Sequence, residues 1–162
     1  MDAIECQDYR SPAGPHPFTC VVADPDPATS QAVNGLLSRF ETTEVHTYAR
    51  FEHARALVET ERVHLLVLPF VGYGGEDGLD FLTEARKTNP LLHVIVVSDE
   101  PSLGQVILSF QHGAVDFVPK PFDPLQELAD AVAASISRWQ RWSQLVRTVA
   151  KRTIQARHSG VG

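Results

Sequence analysis

Along the chain, short apolar runs alternate with stretches whose apolar residues recur every three or four positions, the pattern of strands alternating with helices. The run Val63-His64-Leu65-Leu66-Val67-Leu68-Pro69-Phe70 is the most uniform of these. It is too short for a helix and too apolar for a strand with one wet face, so it predicts a buried parallel strand over 63–68 at the middle of a sheet. Further strands are predicted at 18–23, 44–48, 92–98 and 114–119, the second more polar than the rest.

Helical periodicity fills the intervals. After Asp24-Pro25-Asp26-Pro27, a turn with proline entering a first helical turn, Val33, Leu36, Leu37 and Phe40 share one face. A helix is expected from Phe51 to near Thr60, and another from Leu79 to near Lys87 with Leu79, Leu82 and Ala85 inward, ended by Asn89-Pro90. Pro101 opens a helix that carries Val106, Ile107 and Phe110 and stops at Gly113. Lys120-Pro121-Phe122-Asp123-Pro124 closes the fifth strand and starts the last helix. The glycine-rich stretch Gly72 to Gly78 lacks the lysine and Ser/Thr of a phosphate-binding loop and reads as a flexible connector.

Five βα units in succession predict a doubly wound three-layer α/β domain with an all-parallel sheet and right-handed crossovers. With strand order 2-1-3-4-5, the carboxyl ends of strands one, three, four and five converge on one pocket. The residues standing there are Asp24, Pro25, Asp26, Pro69, Ser98 and Lys120. Pro69 has no ionisable group, no nucleophile and no N–H. Lys120 can pair with Asp24 or Asp26, and Ser98 can bond a loop amide.

Helix-compatible sequence continues through Arg157, well past Ser137, where such a domain needs its last helix to end. Trp139, Trp142, Val146 and Val149 follow a heptad-like pattern there. A helix from Pro124 to Arg157 would be about 50 Å long, more than the domain can cover. Those four residues therefore predict dimerisation, with a homodimer as the expected assembly.

Charge sharpens this division. Residues 138–162 hold Arg138, Arg141, Arg147, Lys151, Arg152 and Arg157 and no acid, a formal +6; the other 8 basic and 20 acidic residues leave 1–137 at −12. The organisation expected is a disordered arm over 1–17, a domain over 18–137, a basic helical extension over 138–158 and a flexible tail over 159–162. Two cysteines without a CxxC spacing or secretory signal favour a reducing, cytoplasmic setting, and no apolar run is long enough to span a membrane. The seven histidines have no metal-ligand spacing, so neither metal nor cofactor is expected.

Residues 18–137 resemble the receiver domain of two-component response regulators. Gly113-Ala114-Val115-Asp116-Phe117-Val118-Pro119-Lys120-Pro121-Phe122 is similar to that family's fifth strand with its lysine and proline, and Val94-Ile95-Val96-Val97-Ser98 to its fourth. The resemblance implies a flavodoxin-like fold, Mg²⁺ held by acidic residues after strand one, a phosphoryl group accepted by an aspartate ending strand three, and a switching aromatic at Phe117. Here Pro25 falls on the second acidic position and Pro69 on the phosphoacceptor; a register with Ala23 and Asp24 as the acidic pair would move Val33, Leu37 and Phe40 off the family's core positions.

The expectation is a non-enzymatic, phosphorylation-independent pseudo-receiver that acts by protein–protein contact in a signalling pathway. Two alternatives stand beside it: a nucleic-acid-binding regulator using the basic helix, and a receiver that accepts phosphate at a non-standard site.

Overall fold

The computed structural model describes residues 17–40, 43–60 and 62–160. Its sheet holds β1 (Phe18–Ala23), β2 (Thr43–Tyr48), β3 (Leu65–Pro69), β4 (His93–Ser98) and β5 (Asp116–Pro119), all parallel, in the order β2-β1-β3-β4-β5. The helices are α1 (Pro27–Leu37), α2 (Phe51–Val58), α3 (Gly78–Thr88), α4 (Leu103–Gln111) and α5 (Gln126–Ser159). This is the predicted flavodoxin-like α/β architecture, long C-terminal helix included. The described chain forms two compact units, one of Pro17–Ser135 and one containing the turns of α5 from Ile136 onward.

The sheet order explains the strand compositions. β3 lies between β1 and β4, and Leu65 to Leu68, Val21 to Ala23 and Val94 to Val97 have no exposed surface. A strand covered on both faces has no use for a polar position, hence the unbroken apolar runs. β2 lies at the edge, and Thr43-Glu44-Val45-His46-Thr47-Tyr48 accordingly has no fully buried position, with Glu44 and Thr47 exposed and the others half-buried.

Local chemistry sets several boundaries differently from the sequence expectations. α1 ends at Leu37, with the Ser38 amide donating to the Asn34 carbonyl and the Arg39 amide to that of Leu36, so Phe40 lies outside the helix and is 39% exposed rather than inward. α4 starts at Leu103 after Ser102, whose hydroxyl accepts from the Gln105 amide. β5 starts at Asp116 because the Ala114 amide is spent on the Ser109 carbonyl, closing the C-terminal turn of α4 around Gly113 at φ 104°. Helix α5 runs through Ser159, so the helix extends into the expected tail; the predicted arm over 1–17 lies, but for Pro17, outside the described residues.

The glycine-rich connector is pinned at several points. Tyr73–Gly75 forms a 3-10 turn, Val71 bridges Asp77, and the Gly72 amide donates to the Glu76 carbonyl at 2.8 Å. The Glu76 carboxylate accepts the Phe51 amide at 3.0 Å, the first of α2, where a negative charge also suits the helix dipole. Arg50 stacks over the Tyr73 ring at 4.8 Å. Glycines at 74 and 75 supply the positive φ values that turn the chain.

Candidate functional site

Each residue of the predicted pocket sits at the carboxyl end of a strand, and the register of the sheet explains why. Asp24 follows β1, Pro69 ends β3, Ser98 ends β4 and Lys120 follows β5. The Phe70 amide donates to the Val97 carbonyl at 2.9 Å, and the Lys120 amide to the Ser98 carbonyl at 2.8 Å. The ends of β3, β4 and β5 are thereby held level.

At the centre, the Lys120 ammonium donates to Asp24 Oδ2 at 2.7 Å and to Asp26 Oδ2 at 3.1 Å. Both expected pairings of this lysine are therefore made at once. The Lys120 and Asp24 side chains are 5% and 2% exposed, whereas Asp26 keeps 37%. The remaining carboxylate oxygens are engaged as well: Asp24 Oδ1 accepts the Asp26 amide at 2.9 Å, Asp24 Oδ2 also accepts the Thr29 hydroxyl at 2.7 Å, and Asp26 Oδ1 accepts the Ala28 amide as N-cap of α1. A charge this deep in protein is tolerated only when paired and hydrogen-bonded, and the Lys120 ammonium is bonded to both carboxylates.

These contacts move the titrations. The Ala28 amide, acting against partial burial and helped by the Lys120 charge, holds the Asp26 carboxyl below the ordinary carboxylate range. Burial alone would lower the Lys120 ammonium, but hydrogen bonds and charge from Asp24 and Asp26 outweigh it and the group is raised.

Ser98, 6% exposed, donates its hydroxyl to Gln105 Oε1 at 2.6 Å. A side chain of α4 thus takes the role expected of a loop amide, because α4 passes over the end of β4. Phe117 is half-buried and packs against the core cluster of Leu66, Leu68, Val96 and Ala114. Asp77 is the N-cap of α3, accepting amides of Leu79 and Asp80, and Asp99 is an exposed bend residue. Among the described residues no group of three or more His, Cys, Asp or Glu side chains could hold a metal ion.

Three participants escaped the sequence reading. Thr29 shares the buried face of α1 with Val33, Leu36 and Leu37, and a polar residue inside that stripe was its signal. Gln105 and Ser109 are likewise polar on the covered side of α4, and Ser109 bonds the Gln105 carbonyl.

The four residues expected to dimerise differ in exposure. Trp139, Trp142 and Val146 are half-buried, while Val149 is 59% exposed. Leu145 and Ile154, at 46% and 57%, join Val149 as the exposed large apolar residues of this part of α5.

A sequence model for the response regulator receiver domain matches residues 20–133. The DNA-binding transcriptional regulator NtrC of Escherichia coli (strain K12) is 30% identical over 100 residues, 60% of this chain and 21% of that protein. The chain therefore corresponds to a minor part of that relative's length. A response regulator from Thermotoga maritima has a similar structure, with TM-score 0.65 and 27% identity, covering 75% of this chain and 98% of that one. NtrX from Brucella abortus, solved in complex with ADP, gives TM-score 0.64 and 28% identity over 83% of this chain and 29% of that one.

Proposed function

Since the chain belongs to the response regulator receiver domain family of signalling proteins, we propose that it is a phosphorylation-independent, non-enzymatic pseudo-receiver, a cytoplasmic module that regulates by protein–protein contact and self-association. The observation that carries this reading is the closed triad of Lys120, Asp24 and Asp26 beside a third strand that ends in Pro69. Phosphoryl acceptance needs a carboxylate in line with the phosphorus at roughly 3–3.5 Å. Pro69 offers none.

The Mg²⁺ implied by the family does not suit the residues present. A hard divalent cation wants about six oxygens in near-octahedral array, several from carboxylates with free lone pairs. Here Pro25 supplies no carboxylate between Asp24 and Asp26, Pro69 none from β3, and the Lys120 ammonium already lies against both remaining acids. Lys120 is the resident cation of this pocket. Ser98, bonded to Gln105, supports the same reading, since its hydroxyl serves the packing of α4.

The test is incubation with Mg²⁺ and acetyl phosphate, followed by intact mass. The mass should stay unchanged. Gain of one phosphoryl group that is lost at alkaline pH, as an acyl-phosphate would be, defeats the proposal. Self-association is read from the molar mass of the full chain in solution.

A further inference from the structure

Helix α4 is built inside out. Its only buried residue is Ser109, while Leu103 is 75% exposed, Ile107 47%, Leu108 41% and Phe110 48%. A surface helix ordinarily turns its apolar stripe inward. Leu103, Val106 and Phe110 instead line a cavity of about 590 Å³ whose other wall includes Phe117 and Val118 of β5. That volume lies in the range of sites for small ligands, which are mostly apolar with a few placed polar groups.

The charged groups of this cavity have one sign. Asp116 and Glu127 line it, and no lysine, arginine or histidine does. Asp116 is half-buried and its Oδ1 accepts the Phe117 amide at 2.8 Å, which leaves Oδ2 to the cavity. Glu127 is exposed in the first turn of α5. From 99 to 130 the sequence holds Asp99, Glu100, Asp116, Asp123, Glu127 and Asp130 against one lysine, Lys120, already spent on Asp24 and Asp26. A neutral apolar ligand would cover these carboxylates without a counter-charge, and an anionic one would be repelled. One cation on an apolar body satisfies both parts of the wall.

We propose that the α4–β5 cavity is a binding site for a small cationic amphiphile, an amine whose ammonium pairs with the Asp116 and Glu127 carboxylates while its apolar body rests on Leu103, Val106, Phe110 and Phe117. The inference goes beyond the preceding reading and holds or fails apart from it, since neither self-association nor phosphoryl transfer enters it. It gives the module an input. Helix α4 also carries Gln105, which accepts the Ser98 hydroxyl at 2.6 Å, so a ligand seated on α4 acts on the helix that fixes that side chain at the end of β4.

The test is an NMR titration of the ¹⁵N-labelled full chain with three probes that share one apolar body: 4-phenylbutylamine, 4-phenylbutanol and 4-phenylbutanoate. It is run at about 0.15 M salt, which screens long-range attraction to an acidic surface. The amine should bind saturably, shift the amides of Leu103, Val106, Phe110 and Phe117, and bind about tenfold more tightly than the alcohol, the ratio expected of one charge-assisted hydrogen bond. The carboxylate should bind more weakly than either. Asp116→Asn with Glu127→Gln keeps an oxygen for the Phe117 amide, and should bring the amine to the affinity of the alcohol while the alcohol's own stays unchanged. Retained alcohol binding shows that the double variant is folded. Phe110→Ala should weaken amine and alcohol alike.

Equal binding of amine and alcohol overturns the proposal, and so does an amine preference that survives the double variant. Amine shifts that never saturate and fade with added salt also overturn it, because they report general attraction to acidic surface. Shifts centred away from the cavity do the same. If a synthetic peptide of residues 138–157 shifts these amides and the amine does not, the groove belongs to a basic protein segment and the small-ligand site is wrong.

Discussion

Lys120 Nζ and Asp24 Oδ2, ninety-six positions apart in sequence, meet at 2.7 Å with almost no exposed surface on either side chain. The contact ties the end of β5 to the end of β1 across β3 and β4. Removing one partner strands the other as a buried uncompensated charge, which typically costs about 3–5 kcal/mol. Lys120→Met should therefore lower stability to chemical denaturation by that order. Asp26→Asn should cost less, about 1 kcal/mol, since Asp26 is over a third exposed and its cap can still be made by an amide oxygen.

The same triad sets a pH window. Asp26 is lowered in the fold, so its stabilisation is present above the ordinary carboxylate value and lost as pH falls through the lower folded one. Lys120 is raised, so its contribution is full below the ordinary lysine value and lost as pH rises through the folded one. Melting temperature against pH should fall at both extremes. Lys120→Met should flatten the alkaline limb.

His64 supplies a fall at milder acidity. Burial first, and the charge of His93 second, push its imidazole down to about 4. The neutral ring accepts the Thr19 amide on Nδ1 at 3.0 Å and stacks on Phe18. The unfolded chain takes up the proton near pH 6.5 and the folded chain only near 4, so stability declines between those values and levels off below. About 2 kcal/mol is expected, discounted because the ring keeps some solvent. His64→Asn, whose amide oxygen can accept the same N–H, should remove that part of the pH dependence in denaturant melts.

Gly78 and Gly35 should respond to alanine with opposite signs. A Cβ on Gly78 would lie 2.3 Å from the Pro69 carbonyl oxygen and 2.8 Å from that of Phe70, both backbone atoms that cannot swing away. At Gly35, exposed in α1, nothing lies within 4 Å. Gly78→Ala should destabilise by about 2 kcal/mol or more, and Gly35→Ala should stabilise by about 0.5–1 kcal/mol. Paired urea melts decide both.

The sheet was legible because buried parallel strands must be apolar throughout, and four of the five runs have no alternative in a chain of this pattern. The pocket was legible because carboxyl ends of strands are fixed once the order is known; Asp24, Asp26 and Lys120 meet as their charges require. What escaped were features set by tertiary contact. The glycine-rich stretch from Gly72 reads as loose, yet the Glu76 carboxylate fastens it to α2, and nothing local to Glu76 announces a partner twenty-five residues earlier. The Ser98–Gln105 bond depends on where α4 crosses β4, and the outward apolar face of α4 contradicts the inward stripe that periodicity alone suggests.

Rebuilding the acidic site tests the role assigned to the two prolines. The single substitution Pro69→Asp should leave Mg²⁺ without effect, because it adds one carboxylate while Lys120 still occupies Asp24 and Asp26 and position 25 still offers none. Pro25→Asp with Pro69→Asp assembles acids from the turn after β1 and from the end of β3, enough oxygen to compete with a single ammonium for a divalent ion. In that double variant Mg²⁺ should stabilise the fold in proportion to binding, by about 2.7 kcal/mol at a hundredfold excess over Kd, whereas the unsubstituted chain should melt identically with Mg²⁺ or with matched ionic strength. Stabilisation of the unsubstituted chain by Mg²⁺ beyond the salt control would mean that Asp24 and Asp26 release Lys120 to the metal, and the account of Lys120 as the pocket's own cation would fail.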